Sequence, residues 1–294
     1  MRRVSVLFAL LLASGTITNA QETKRVTIVY DAMGVPSELE RDWGFSALIE
    51  YGGRRILFDT GTDGGILERN AKRLGIDLTR LDAAVISHRH GDHSGGLSYL
   101  LEVNPTVKIY TPSEGAMFEK AGLPPGFLEP YPALPPEMRY FGGSPPEELP
   151  GGRSYIWDGD FDTVMETKEI FAGFYVLTTR SERSGSRDMN EVSLAVRTPR
   201  GLAVIVGCSH PGVDKILKKA ADIDSQLYTA IGGFHLVRTS RGDVEATASE
   251  LHDVLELERV APAHCTSELG FAVFIDRFGD RYDRAGVGAV IALP

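Results

Sequence analysis

Residues 86–97 read "ISHRHGDHSGGL". His88, His90, Asp92 and His93 fall within six positions at the end of an apolar run, in a chain of 294 residues with only seven histidines. Two residues apart in an extended segment, His88 and His90 point their rings the same way. Asp92 and His93, just past a turn, can face back to the same point. Imidazole nitrogens and carboxylate oxygens are the ligands zinc takes at about 2.0–2.2 Å. Four such groups from one loop exceed the needs of one tetrahedral ion, which points to two. Gly91, Gly95 and Gly96 are expected to give the tight backbone this requires.

Outward from this loop, apolar strands alternate with amphipathic segments. "RVTIVYDA" reads as a strand and "GFSALIEYGGRRILFDTG" as a hairpin turning at Gly52-Gly53 and ending at Asp59. Leu67, Ala71 and Leu74 mark a helix from Gly64 to Leu74, "DAAVIS" is a short strand, a second helix starts near Asp92, and "VKIYTP" is another strand. "GTDGG" at 61–65 lacks the lysine of a phosphate-binding loop and reads as a turn into a helix. In the second half "FYVLTT", "VSLAVRT", "GLAVIVG", "LYTAIGG" and "RVAPAHCT" read as strands. "PGVDKILKKAADI" and the Val244, Ala248, Leu251, Leu255 stripe read as helices. Strand-rich halves with flanking helices predict a mixed α/β sheet sandwich. Residues 123–152, dense in proline and glycine, fit no regular element; they are a lid or substrate wall, or a solvated connector.

The remaining histidines sort by position. His210 ends "LAVIVGCSH", His235 ends "YTAIGGFH" and His264 lies in "VAPAH", all at strand tips where functional groups often sit on a rigid scaffold. His252, mid-helix between Leu251 and Val254, reads as a surface residue. The two cysteines, Cys208 and Cys265, each lie beside or near a histidine, which ties them to the site more than to a disulfide framework.

Composition narrows the partners. "MRRVSVLFALLLASGTITNA" has two arginines, an apolar run from Val6 to Ala13 and a small-residue end, the order of a cleaved export signal over residues 1–20. The run is too short for a permanent membrane span, and no cysteine follows it to carry a lipid. Export, to the periplasm of a Gram-negative cell or to the medium, is the expectation. Residues 21–294 then form one domain containing the 123–152 insertion. Losing Arg2 and Arg3 takes the formal charge from −9 to −11, an acidic balance that argues against nucleic acid as partner. A small-molecule substrate remains, with the oligomeric state open.

The motifs resemble the metallo-β-lactamase superfamily, whose H-x-H-x-D-H signature is matched by His88, His90, Asp92 and His93. More narrowly, "DWGFSALIE", "LFDTG", "SHRHGDHSGGL", "GCSHPG", "GGFHL" and "AHCT" resemble a branch that includes a dihydropterin ribofuranosylaminobenzene phosphate synthase. The resemblance implies an αββα four-layer sandwich and hydrolysis of an ester, lactone, phosphodiester or amide bond by metal-activated hydroxide. It places His88 and His90 on one ion, Asp92 and His93 on the second, and His264 on the second. His210 is assigned to the first, since no other histidine lies between His93 and it. It further implies that Asp59 orients a ligand histidine, a strand-end cap being the alternative. Cys208 stands roughly where the family has a bridging aspartate, and is either a thiolate ligand or an inert buried cysteine. His235 could ligate, donate a proton to the leaving group or bind an anionic substrate, the last two ranking first. Asp92 and His235 are thus the candidate catalytic residues. Two zinc ions are the expected cofactors, although the same ligands accept iron or manganese. A β-lactamase, a redox protein with a single iron, and a metal- or pterin-binding protein without turnover are the competing readings.

Overall fold

The computed structural model describes residues 23–113, 127–146, 157–183 and 189–294. The expected export signal and residues 123–126 and 147–152 of the insertion lie outside them. The first sheet is built from β1 (Arg25–Tyr30), β2 (Ser46–Tyr51), β3 (Arg54–Phe58), β4 (Ala83–Val85), β5 (Lys108–Thr111) and β6 (Asp160–Thr163). The second contains β7 (Lys168–Phe171), β8 (Phe174–Arg180), β9 (Asn190–Thr198), β10 (Gly201–Val206), β11 (Leu227–Gly233) and β12 (Arg259–Ala263). A last strand, β13 (Val290–Ala292), returns to the first sheet, giving the orders β13-β1-β2-β3-β4-β5-β6 and β12-β11-β10-β9-β8-β7.

Period-two alternation puts each strand's residues into two different cores. On β3, Ile56 and Phe58 face the layer between the sheets while Leu57 faces outward. On β10, Ala203 and Ile205 face inward, and Leu202, Val204 and Val206 outward. Both faces are covered, which is why these strands read as nearly continuous apolar runs. Outside the first sheet lie α1 (Gly64–Arg73), the four-residue α2 (Gly91–Ser94) and α3 (Leu97–Val103), with Leu67, Ala71, Leu97 and Leu100 buried against Leu57 and Ala84. Outside the second lie α4 (Val213–Ala221), α5 (Arg241–Ser249) and α6 (Glu268–Phe278), whose Ile216, Val244 and Phe274 pack on the outer face. The layers run helix, sheet, sheet, helix.

Three details depart from the sequence reading. The short polar strands β6 and β7, the edge strand β13 and helix α6 carry too little period signal and were not anticipated; α6 is anchored by Phe271, Phe274 and Phe278. The helix expected from Asp92 is broken between α2 and α3, at Gly95 and Gly96. Both glycines have ordinary negative φ, −62° and −73°, so conformational freedom is not their role. Space is: a Cβ on Gly95 would lie 1.9 Å from the Thr62 carbonyl oxygen, and one on Gly96 2.1 Å from that of Thr60. Finally, α5 runs into a π-helical turn over Glu250–Val254, and His252 is half-buried there against Phe278 and Asp253 instead of lying free on the surface.

Strands β3 to β6 are parallel, as are β10 to β12. Parallel strands release their carboxyl ends on one side of a sheet, the usual place for ligands in open α/β structures. Asp59 follows β3, the histidine loop follows β4, Cys208 and His210 follow β10, His235 follows β11 and His264 follows β12.

Candidate metal centre

The strand ends of both sheets bring their side chains to one point. His88 Nε2 lies 3.0 Å from His90 Nδ1, and the His90 and His210 rings are 4.9 Å apart. Beside them, His93 Nε2 lies 3.2 Å from His264 Nε2, and Asp92 Oδ2 is 3.4 Å from His264 Nε2 and 3.7 Å from His93 Nε2. Donors bound tetrahedrally at about 2.0–2.1 Å from one ion stand about 3.3 Å apart. The spacings here are those of ligand-polyhedron edges. His88, His93 and His264 are fully buried, and Asp92 and His210 nearly so. His90 and His235 are only partly covered and form the mouth.

Three of the imidazoles, His88, His93 and His210, are held by their second nitrogen. The Asp59 carboxylate accepts from His93 Nδ1 at 2.7 Å, from the Ser87 amide at 2.7 Å and from the Ser87 hydroxyl at 2.7 Å. With its proton given to Asp59, the Ser87 oxygen accepts from His88 Nδ1 at 2.9 Å. One carboxylate thus orients two rings, directly and through a hydroxyl, and turns both Nε2 lone pairs inward. Glu191 does the same on the second sheet. Its carboxylate accepts the amides of Cys208, Ser209 and His210 and the Nδ1 proton of His210 at 3.0 Å. Trp43 Nε1 donates to Asp92 Oδ2 at 2.8 Å. Asp31 accepts the His264 amide at 3.2 Å, and the Tyr140 hydroxyl donates to the His264 carbonyl at 2.6 Å.

The described part of the proline-rich segment is therefore no solvated connector. Leu134, Met138 and Tyr140 are buried, Phe127 and Tyr140 pack edge-on against Trp43, and the Trp43 ring lies 4.6 Å from that of His264. Glu268, buried at the start of α6, ties the segment down by accepting the amides of Tyr131 and Tyr140.

Backbone strain concentrates at the same strand ends. Asp59, Ser209, His235, His264 and Ser267 all have positive φ, 56°, 62°, 49°, 45° and 76°. Such conformations cost non-glycine residues about 1–3 kcal/mol each, and persist where the surroundings over-determine them.

The electrostatics suit cation binding. Burial first, then the neighbouring imidazoles, hold His88 and His210 well below the usual histidine range and His90 at about 4, so these rings are neutral ligands. Burial alone would raise Asp92, but the surrounding histidines, His93 foremost, hold its carboxyl well below the usual range. Burial likewise opposes charge on His93, yet Asp59 and Asp92 outweigh it and bring the ring to about 9. Without a cation, that imidazolium is the positive charge that answers the two carboxylates. Asp92 Oδ1 is buried with no protein partner, as is His235 Nδ1. A buried, unpartnered oxygen on a carboxylate that sits among imidazoles is the environment a divalent ion satisfies.

Cys208 and Cys265 are free, buried thiols, and burial pushes that of Cys208 up. His235 sits beside the cluster, its ring 4.3 Å from that of His210. His252 lies apart, in the π-helical turn after α5. Glu191, Asp31, Trp43, Ser87 and Tyr140 were not singled out from the sequence: a single buried Glu in "NEVSLAV" carries no local signal of its partner.

The histidine loop, the two sheets and the helical layers are those of the metallo-beta-lactamase superfamily, whose family model matches residues 43–181. It is 28% identical to the 7,8-dihydropterin-6-methyl-4-(beta-D-ribofuranosyl)-aminobenzene-5'-phosphate synthase of Methanocaldococcus jannaschii, over 96% of this chain and 99% of that one. Among solved structures, a metal-dependent hydrolase of the beta-lactamase superfamily superposes with a TM-score of 0.69 at 26% identity, covering 92% of this chain and 98% of the other. The short form of human tRNase Z shares the fold, with a TM-score of 0.52 at 16% identity over 92% of this chain and 99% of that one.

Proposed function

We propose that the chain is an exported metal-dependent hydrolase that uses two bound cations, zinc foremost, on an ester, lactone, phosphodiester or amide bond of a small molecule. The observation that carries this reading is the convergence of five buried or half-buried imidazoles, three of them buttressed through their second nitrogen, with an Asp92 carboxylate that keeps one buried oxygen unpartnered. His88, His90 and His210 would hold one ion; Asp92, His93 and His264 would hold the other. When bound, such ions supply a nucleophile from water at neutral pH and polarise the bond under attack. Asp59, Ser87 and Glu191 keep the ring tautomers fixed, while Trp43 orients Asp92. Tyr140 and Phe127 wall off bulk water beside Trp43. His235, at the mouth, holds a proton for the leaving group on one of its ring nitrogens. Export rests on the arginine pair and apolar run of residues 1–20.

The near full-length likeness to the synthase favours a second reading, in which the same site acts on a pterin-like or phosphate-bearing substrate. An exported protein would not meet a cytosolic coenzyme precursor, so the hydrolase reading ranks first. Metal analysis of the purified chain, followed by a chelator-controlled screen of bis-p-nitrophenyl phosphate, lactones and nitrocefin, tests it. Chelator-sensitive turnover of one substrate class is expected, abolished in Asp92→Ala while far-UV circular dichroism stays unchanged. Tight metal retention with no chelator-sensitive turnover would overturn it in favour of a binding protein. Nitrocefin hydrolysis at low micromolar affinity would identify a β-lactamase.

A further inference from the structure

We infer that the Cys208 thiolate is the protein ligand shared by both cations, a sulfur bridge at the centre of the site. The inference rests on the metal-binding reading above and adds to it a ligand and a metal preference. Three sets of donor atoms, each mutually within 4.8 Å, occur among the described residues: His88, Cys208 and His210; His93, Cys208 and His264; and Cys208, His235 and Cys265. The first two sets come from the two candidate ion positions, and Cys208 is the member they share. Its sulfur lies 3.2 Å from His93 Nε2, the same spacing that separates His93 from His264.

The backbone is built to aim this side chain. Gly207 precedes it at a crowded spot, where an added Cβ would meet the Ser87 Oγ at 2.1 Å. Ser209 follows with a φ of +62°. The Glu191 carboxylate gathers the amides of residues 208, 209 and 210, so one buried charge positions both Cys208 and His210. A structural cysteine behaves as a small hydrophobe among apolar neighbours. Cys208 borders the inner core, yet its sulfur also lies within 4.8 Å of imidazole nitrogens of His88, His93, His210, His235 and His264. Cys265, the other thiol, donates to the Cys208 carbonyl and belongs to the third set alone, whereas Cys208 belongs to all three. On binding, the sulfur–metal bonds form as the thiol proton leaves to solvent, because a coordinating thiol is deprotonated outright. A sulfur bridge selects zinc, iron or cobalt over magnesium or calcium, which prefer all-oxygen shells.

X-ray absorption at the zinc edge of the wild-type chain, loaded with zinc and assayed for stoichiometry, tests this without any variant. A bridge gives each zinc one sulfur scatterer at about 2.3 Å. A terminal thiolate on one ion of two gives half that amplitude, and an inert thiol gives none; either result overturns the bridge. Failure of wild type to retain zinc at all overturns the metal-binding reading along with it. Cobalt-loaded variants assign the sulfur: the thiolate-to-cobalt charge-transfer band should persist in Cys265→Ser and vanish in Cys208→Ser. The reverse pattern would transfer the role to Cys265 and sink the inference.

Discussion

The two sheets equip the site in opposite ways. The first delivers four polar groups, His88, His90, Asp92 and His93, from a single six-residue stretch after β4. The second delivers Cys208, His210, His235 and His264 from three separate strand ends. Yet each sheet contributes one buried carboxylate that orients imidazole: Asp59 holds two rings on the first, and Glu191 holds the His210 ring on the second. Asp59 sits at a strand tip in a conspicuous "LFDTG"; Glu191 sits inside an ordinary strand. Local clustering of ligands therefore does not mean local support. Both halves depend on a carboxylate that arrives from a different element.

The sharpest way to break this symmetry is to neutralise each carboxylate in turn. Asp59→Asn and Glu191→Gln should each weaken metal affinity about 10–100-fold, the usual effect of removing a ligand's outer hydrogen-bond partner. Asp59→Asn should be the more severe, since it supports two rings, and competition against a chromophoric chelator would rank them. Equal affinity in wild type and Glu191→Gln would show that only the first sheet's support matters.

The pH dependence of the metal-free chain separates the halves differently. His90 falls to about 4, below its unfolded value, so the unfolded chain binds the extra proton between roughly pH 6.5 and 4 and stability drops as pH falls through that window. His93, raised to about 9, binds its proton in the folded state, so its contribution is present below roughly pH 6.5 and lost as pH rises to about 9. Denaturant midpoints of the chelated protein should therefore peak near neutrality and decline on both sides. A flat profile would remove the charge assignment.

A smaller effect tests the wall. Tyr140→Phe leaves the His264 carbonyl and the Ser267 amide without their buried partner, at a cost of about 1–3 kcal/mol. Equilibrium unfolding in urea measures it, and an unchanged midpoint would show that the proline-rich segment only lies against the site. The smallest effect is reserved for the histidine outside both halves. His252→Ala should leave metal stoichiometry and turnover at wild-type levels, and any loss of metal would mean that the boundary of the site is wrongly drawn.

Much of this protein was legible before its structure. Apolar alternation marks most of the strands, the Leu67, Ala71 and Val244, Ala248 stripes mark helices, and the crowded histidine loop points to a candidate cation site because imidazoles and a carboxylate so close together are the ligands a metal takes. The weaker elements escaped for a physical reason: β6 and β7 are short, polar and at sheet edges, so burial leaves little pattern in them. Gly95 and Gly96 looked like turn residues, whereas they make room for the Thr60 and Thr62 carbonyls.

What the order of residues determined alone is whatever depends on near neighbours: strand and helix periodicity, the ligand types and the loop that holds four of them. Only the tertiary structure decided which distant residues complete the centre. Glu191 reaches His210, Trp43 reaches Asp92, Asp31 and Tyr140 pin His264, and Cys208 lands between two donor sets because sheet pairing and left-handed strand ends aim them there. Those contacts join residues from about 20 to more than 200 positions apart, and no local regularity encodes a distance of that kind.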